Sequence, residues 1–493
     1  MITDSTKVFR AVLIILYILV FGMTAQNLRY QDMHYDEAVQ FWISKGLNPD
    51  TAPFSPEGDV RDVIENNRYY NLDPGGFSIM LHYWSMISNH VIMLRLLPFL
   101  FFTAAVGGFF FLARKWSGSI DIALLAGFIP LLIPLVSDMS IELRAYSMEI
   151  LGIVSALMVL QHLQRRISFP SLIAGSAAIS FFMFSRYSYV IVAFVASLYV
   201  CWLILNHPGK WARKMAYLAV YAIPVLATLT GIYFLSMVHQ NPGAEPVSYI
   251  TYLKFSPFAI LEPLNIAFMT GLTAAAALLY HSFSYENLKK YSPLLYLFVS
   301  ASLVFLILSF LGKHPWDLTF KQNISVVVLL LLCMAALAGE LLKPLLESQG
   351  ITKYYLITGF LLLIIIHQQD SILSRYSVKE NTFFTLLDND VSRYEKIYVD
   401  LGHAGYVKYY FEYGPQRNQH PFYPENFTLQ ISHRYNRKNR EPGLRSPEAP
   451  DMKMILSHDL ILFNDLYAQA PKEYGNWVLL PRSETFWIKR TAE

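Results

Sequence analysis

Apolar runs of membrane-spanning length recur along residues 1–369, and no other feature of the sequence constrains the fold as strongly. A bilayer core of about 30 Å takes about 20 consecutive apolar residues in a helix. The first run follows Lys7 and Arg10 and continues to about Met23. Others lie near 91–113, 119–137, 143–163, 171–185, 187–205, 215–237, 257–280, 293–311, 323–342 and 354–367. Allowing for tilt and interfacial residues, these runs predict about eleven spanning helices. The short run at 171–185 meets Arg186 directly, so a tight hairpin with the next helix is expected. Composition agrees: 15% of residues are charged, against about 25% in soluble proteins, and the mean hydropathy is +0.35.

Charge placement sets the expected orientation. Lys and Arg in short loops mark the cytoplasmic side. Lys7 and Arg10, Arg114 and Lys115, Arg165 and Arg166, Lys210 with Arg213 and Lys214, Lys289 and Lys290, and Lys343 with Lys353 all fall on one side for eleven spans. The N-terminus is therefore expected in the cytoplasm and the C-terminus outside. Thr24-Ala25-Gln26 is a poor signal-peptidase site, so the first helix reads as retained. The net charge of +3 carries no message about nucleic acid. Cys201 and Cys333 both lie in apolar runs and read as small buried hydrophobes rather than a disulfide framework.

The chain beyond about 370 loses its long apolar runs. Strand patterns at 396–402 and 459–464, an amphipathic helix at 404–413 and a hairpin over 477–490 suggest a small α/β domain outside the membrane. The charged, proline-bearing stretch 434–453 reads as a loop. The expected organisation is a membrane domain over 1–369, including an external loop at 27–90, and an extracytoplasmic domain over 370–493.

The external loop carries the residues best suited to chemistry. Asp36 and Glu37 stand at the start of an amphipathic stretch. Acids there are stabilised by the helix dipole, and the same acids can act as a general base or bind a metal. Asp73 precedes Pro74-Gly75-Gly76, a turn opening a second amphipathic helix that contains His82. Asp73 suits a helix cap and His82 suits a structural role on an aromatic face. Arg144, in Glu142-Leu143-Arg144-Ala145-Tyr146, sits at a helix end where snorkelling explains a cation. A guanidinium there can also grip a phosphate with two parallel hydrogen bonds. Arg186, Lys313, His314 and Lys321 fall on the same outward side, against the positive-inside trend, and point to an anion site.

The order of these motifs resembles membrane glycosyltransferases of the GT-C fold, in particular the bacterial relatives of protein O-mannosyltransferases and of the lipid A aminoarabinose transferase. Tyr35-Asp36-Glu37-Ala38 is similar to the acidic signature of that family. Asp73-Pro74-Gly75-Gly76 and Arg95-Leu96-Leu97-Pro98 stand where its Pro-Pro-Leu and Arg-Leu-Pro segments occur, and Glu142-Leu143-Arg144-Ala145-Tyr146 matches its Glu-x-Arg-x-Tyr segment. The resemblance covers about residues 8–205. Later, Lys321-Gln322-Asn323 replaces the family's Arg-Tyr pair, and the late-helix proline is missing.

The resemblance implies a polyprenyl-phosphate-linked monosaccharide as donor and an acceptor entering from outside: a glycan, lipid or protein of the cell envelope. It implies Asp36 as the base that deprotonates the acceptor, with Glu37 assisting or holding a divalent cation such as Mg or Mn. Arg144 would bind the lipid phosphate, with Arg186 and Lys321 as weaker candidates. Beside the resemblance, Asp73, Tyr146, His82 and His314 are further candidate substrate-binding residues. Inversion at the anomeric carbon follows. The membrane implied is a cell membrane, most simply a bacterial inner membrane. Two other readings stay open: a lipid or glycan transporter or flippase, and a non-catalytic scaffold of the same fold. Transporters place charge near the bilayer midplane, whereas this chain keeps its charges at helix ends.

Overall fold

The computed structural model describes residues 2–29, 33, 35–47, 57–71, 73–239, 285–311, 314, 321–348, 351–373, 409 and 413, together with five short strands of the tail. The predicted span at 257–280 and Lys313 lie outside the described residues. The chain divides into two compact units, one of residues 1–25, 72–77 and 98–373 and one of 26–71, 78–97 and 374–493. The boundary at 370 read from the sequence keeps the first external loop with the helices. Contacts instead group most of that loop with the tail, because Tyr409 and Tyr413 pack their rings on Phe41 at 5.0 and 5.6 Å.

The first unit is helical: α1 (Ile2–Gln26), the part of α5 (Val91–Ser117) from Pro98 onward, α6 (Ile120–Leu132), α7 (Pro134–Asp138), α8 (Tyr146–Arg165), α9 (Phe169–Met183), α10 (Tyr187–Leu205), α11 (Trp211–Leu235), α12 (Tyr285–Phe310), α13 (Ile324–Glu347) and α14 (Thr352–Leu373). Seven helices among the described residues are long and apolar enough to cross a membrane, and two shorter apolar helices accompany them. The chain is a polytopic helical membrane protein.

α8 and α13 are the most enclosed of these spans, with 72% of their apolar windows buried. α8 packs on α9, α10 and α13, and α13 also packs on α6 and α12. Close approach depends on small residues: a Cβ on Gly152 of α8 would come within 2.8 Å of Tyr189 and 2.9 Å of Phe182. The lipid-facing side of α11, by contrast, exposes Ile223, Leu226 and Phe234. Polar ties between helices include Arg10 to Asp121 at 2.6 Å and Lys290 to Glu340 at 2.5 Å.

Two helix boundaries differ from the sequence reading. The run 119–137 is broken at Ile133, whose extended backbone precedes Pro134 at the first position of α7. Proline disfavours helical conformation in the residue before it. The helix expected from 143 starts at Tyr146, so Glu142 and Arg144 lie in a turn. The expected hairpin is present: α9 ends at Met183 and α10 starts at Tyr187. Cys333 is buried and Cys201 partly so, and both are free thiols.

The second unit contains α2 (Tyr35–Ser44), α3 (Val60–Tyr70) and most of α4 (Gly76–Ser85). α3 starts with a capping box, in which Asp59 accepts from the Arg61 and Asp62 amides and the Asp62 side chain accepts from the Asp59 amide. α2 buries Ala38, Phe41, Trp42 and Ile43. Five tail strands, β1 (Ile397–Val399), β2 (Phe427–Leu429), β3 (Leu460–Leu462), β4 (Trp477–Leu479) and β5 (Phe486–Lys489), form one sheet in the order β2-β1-β3-β5-β4. β1 is parallel to β2 and β3, while β5 is antiparallel to β3 and β4. Of the helix expected at 404–413, only Tyr409 and Tyr413 are described.

Candidate functional site

Among the described residues, each unit contains a cluster of buried charge, and residues singled out in the sequence divide between the two. In the second unit, Glu37 and Arg95 form a pair with both side chains fully buried. Arg95 donates from Nε to Oε1 at 3.2 Å and from Nη2 to Oε2 at 2.7 Å. This fork-to-carboxylate geometry suits arginine. Asp36, the preceding residue of α2, is half-buried.

His82 is also buried, and its Nδ1 meets the Ser44 carbonyl oxygen at 2.8 Å. Beside it lies a chain of buried amides and hydroxyls: Gln40 donates to Ser78 at 2.7 Å, Ser78 donates to Asn67 at 2.7 Å, and Asn71 donates to Gln40 at 3.0 Å. These bonds hold α2, α3 and α4 together and give His82 a structural position. Tyr409 donates to the Asn89 carbonyl at 2.6 Å. Burial raises the Tyr409 phenol above its usual range.

In the first unit, Asp73, Glu142, Arg144, Tyr146, Glu149, Arg186 and Lys321 come together. Asp73 sits in the turn before α4, where Gly75 has φ of 95°, a conformation that favours glycine. The turn is fixed by the Gly76 amide, which donates to the Phe184 carbonyl at 3.1 Å. Asp73 Oδ1 faces Arg186 Nε at 3.1 Å, and Oδ2 faces Arg144 Nη2 at 3.6 Å. The Arg186 guanidinium also lies over the Tyr146 ring at 4.0 Å and 3.8 Å from Glu149. Lys321 reaches Glu142 at 2.6 Å. Ser325 donates to Glu149.

This cluster lies where α8, α10 and α13 begin. Arg186 is the residue before α10, Tyr146 opens α8, and Lys321 forms the turn before α13. Three helix N-termini therefore meet there, each with free amides and the positive end of its dipole. Burial disfavours the Arg186 charge, but the Asp73 carboxylate, with Tyr146 and Glu149, outweighs it and raises its proton affinity. His314 bonds Asn323 Oδ1 at 3.2 Å. Burial pushes its imidazole down to about 4, with Arg186 adding to the effect.

The cap role suits Asp73 less than an ionic one, since its two oxygens face two arginines. Three charged members of these clusters were not singled out as site residues: Arg95, Glu142 and Glu149. Arg95 is Glu37's partner across 58 positions of sequence. Glu149 is an acid in the first turn of an apolar helix, and an ionisable residue in a membrane span is itself a signal of function.

Arg95 occupies both oxygens of Glu37, and among the described residues no three His, Cys, Asp or Glu side chains converge as ligands. Glu37, the residue expected to assist Asp36 or hold a divalent cation, is paired with Arg95. No family model and no curated protein matches the chain.

Proposed function

We propose that the protein is a membrane glycosyltransferase that moves a monosaccharide from a polyprenyl-phosphate donor to an acceptor on the outer face of a cell membrane. The observation that carries this reading is the Asp73–Arg144–Arg186 arrangement. Two guanidinium groups converge on one pair of oxygens at the meeting point of three helix N-termini. Such a place favours an anion such as a phosphate ester. The order of sequence motifs supports the rest.

In this reading Asp36 takes the proton from the acceptor hydroxyl as that oxygen attacks the anomeric carbon. The bond to the phosphate oxygen breaks, and the lipid phosphate leaves with the electron pair. Arg144 and Arg186 stabilise the charge that develops on the leaving oxygen, which lowers the barrier. Glu37, held by Arg95, fixes the first turn of α2 and hence the position of Asp36. The tail strands belong to an α/β domain outside the cytoplasm, and the N-terminus is cytoplasmic.

A transporter is the competing reading. Glu149 is three residues into α8, about 5 Å from the helix start at 1.5 Å per residue, and so far from a bilayer midplane. The discriminating experiment offers the protein in nanodiscs a polyprenyl-phosphate sugar together with cell-envelope acceptor extract. Cleavage to free polyprenyl phosphate, lost in Asp36→Asn, is expected. Movement of intact donor across proteoliposomes without cleavage would reject the transferase reading.

A further inference from the structure

We propose that the Asp73 carboxylate is an internal occupant of the two-arginine anion site, and that a phosphate ester binds there by displacing it. The inference rests on the proposed donor chemistry and adds a competitor built into the chain. A carboxylate bridging two guanidinium groups imitates an anion held between two arginines: Oδ1 lies 3.1 Å from Arg186 and Oδ2 3.6 Å from Arg144. Among the described residues the surrounding charge is already paired. Asp73, Glu142 and Glu149 are matched by Arg144, Arg186 and Lys321 in the contacts Asp73–Arg144, Asp73–Arg186, Glu149–Arg186 and Glu142–Lys321.

Adding a phosphate to this paired set would place like charges side by side in a poorly hydrated site, which is unfavourable. Among the three acids, Asp73 is the one that can leave with least disturbance. Glu149 is fully buried on α8 and accepts from Ser325. Glu142 is almost fully buried and engaged by Lys321. Asp73 stands on a turn whose backbone is fastened independently through Gly76 and Phe184, so displacing its side chain need not carry α4 with it. Arg186 stays in place because Tyr146 lies under it at 4.0 Å and Glu149 stands 3.8 Å from it. Asp73 thus keeps the arginines paired until an anion with more charge and more oxygens arrives.

The consequence is a conformational tax on ligand affinity, since only the fraction of molecules with Asp73 turned out can bind. If that fraction is about a tenth, Asp73→Asn should bind phosphate ester about tenfold more tightly. Asp73→Glu, which retains the charge, should not show the gain, and Arg144→Ala should bind more weakly than wild type. The probes are decaprenyl phosphate in nanodiscs and inorganic phosphate in solution, each titrated against wild type and the three variants.

Tighter decaprenyl phosphate binding by Asp73→Asn, without a gain in Asp73→Glu, supports the proposal. Measurable binding to wild type with no gain in a folded Asp73→Asn overturns it and leaves the donor reading standing. No decaprenyl phosphate binding by either protein overturns both. Inorganic phosphate bound as tightly as the lipid, with the same Asp73→Asn gain, supports displacement and turns the site toward a soluble anion, against the donor reading. If Asp73→Asn does not fold, an experimental structure of wild type with decaprenyl phosphate decides. The proposal expects the phosphate between Arg144 and Arg186 with Asp73 beyond 4 Å of both, and it falls if Asp73 remains between them.

Discussion

At the residue scale, adjacent acids of α2 have different surroundings. Glu37 is fully buried against Arg95, while Asp36 is half-buried. Removing one partner of a buried pair strands the other charge in a medium that cannot solvate it. Glu37→Gln is expected to cost about 3–5 kcal/mol of stability, read as a large drop in melting temperature in nanodiscs. Asp36→Asn is expected to change stability by no more than about 1 kcal/mol while abolishing transfer. Equal thermal losses in the two variants would contradict this division.

His314 gives a pH signature. Its folded-state affinity for a proton is lowered, to about 4, below the ordinary value of 6.5. The unfolded chain therefore binds more protons between those values, and stability falls as pH drops from about 6.5 towards about 4. Above about 6.5 the contribution is fully present. Thermal melts across that window should show the decline, and His314→Gln should make it shallower. An unchanged pH profile in His314→Gln would contradict the assignment.

At the element scale, close helix approach is a packing feature with a direct test. Gly152 lets α8 lie against Tyr189 and Phe182, and an added Cβ would meet them at 2.8 and 2.9 Å. Gly152→Ala should destabilise the helical unit by about 1–3 kcal/mol through overpacking, measured by unfolding in detergent. Gly107 of α5 has no heavy atom within 4 Å of such a Cβ, so Gly107→Ala serves as the neutral control.

The helices themselves were legible in the sequence because a spanning helix must bond its own backbone and show lipid an apolar surface. Every predicted span among the described residues falls on a helix, including the 171–185/187–205 hairpin. The break at Pro134 was missed because hydropathy averages over the turn. β2 was missed because three residues, Phe427–Leu429, are too few to display alternation. The charge pairs were least legible. Glu37–Arg95 and Lys321–Glu142 join positions 58 and 179 residues apart, and no local pattern encodes such a partner. The sequence singled out Asp73, Arg144 and Arg186 separately, from their types and their expected side, without showing that they meet.

At the scale of the whole molecule, the apolar helices establish a membrane protein, and the eleven-span count sets its proposed orientation. An odd count puts the two ends on opposite sides. A reporter active only outside the cytoplasm should work when fused after residue 493 and fail when fused before residue 1. Activity at both ends, or at neither, would require an even count.

The central claim is group transfer from a lipid phosphate with Asp36 as base. Its most direct test gives the purified protein a panel of polyprenyl-phosphate monosaccharides, each labelled in the sugar, with cell-envelope extract as acceptor. The account predicts that label from one donor passes to acceptor with wild type and that a folded Asp36→Asn passes none. Transfer by Asp36→Asn at the wild-type rate would contradict it.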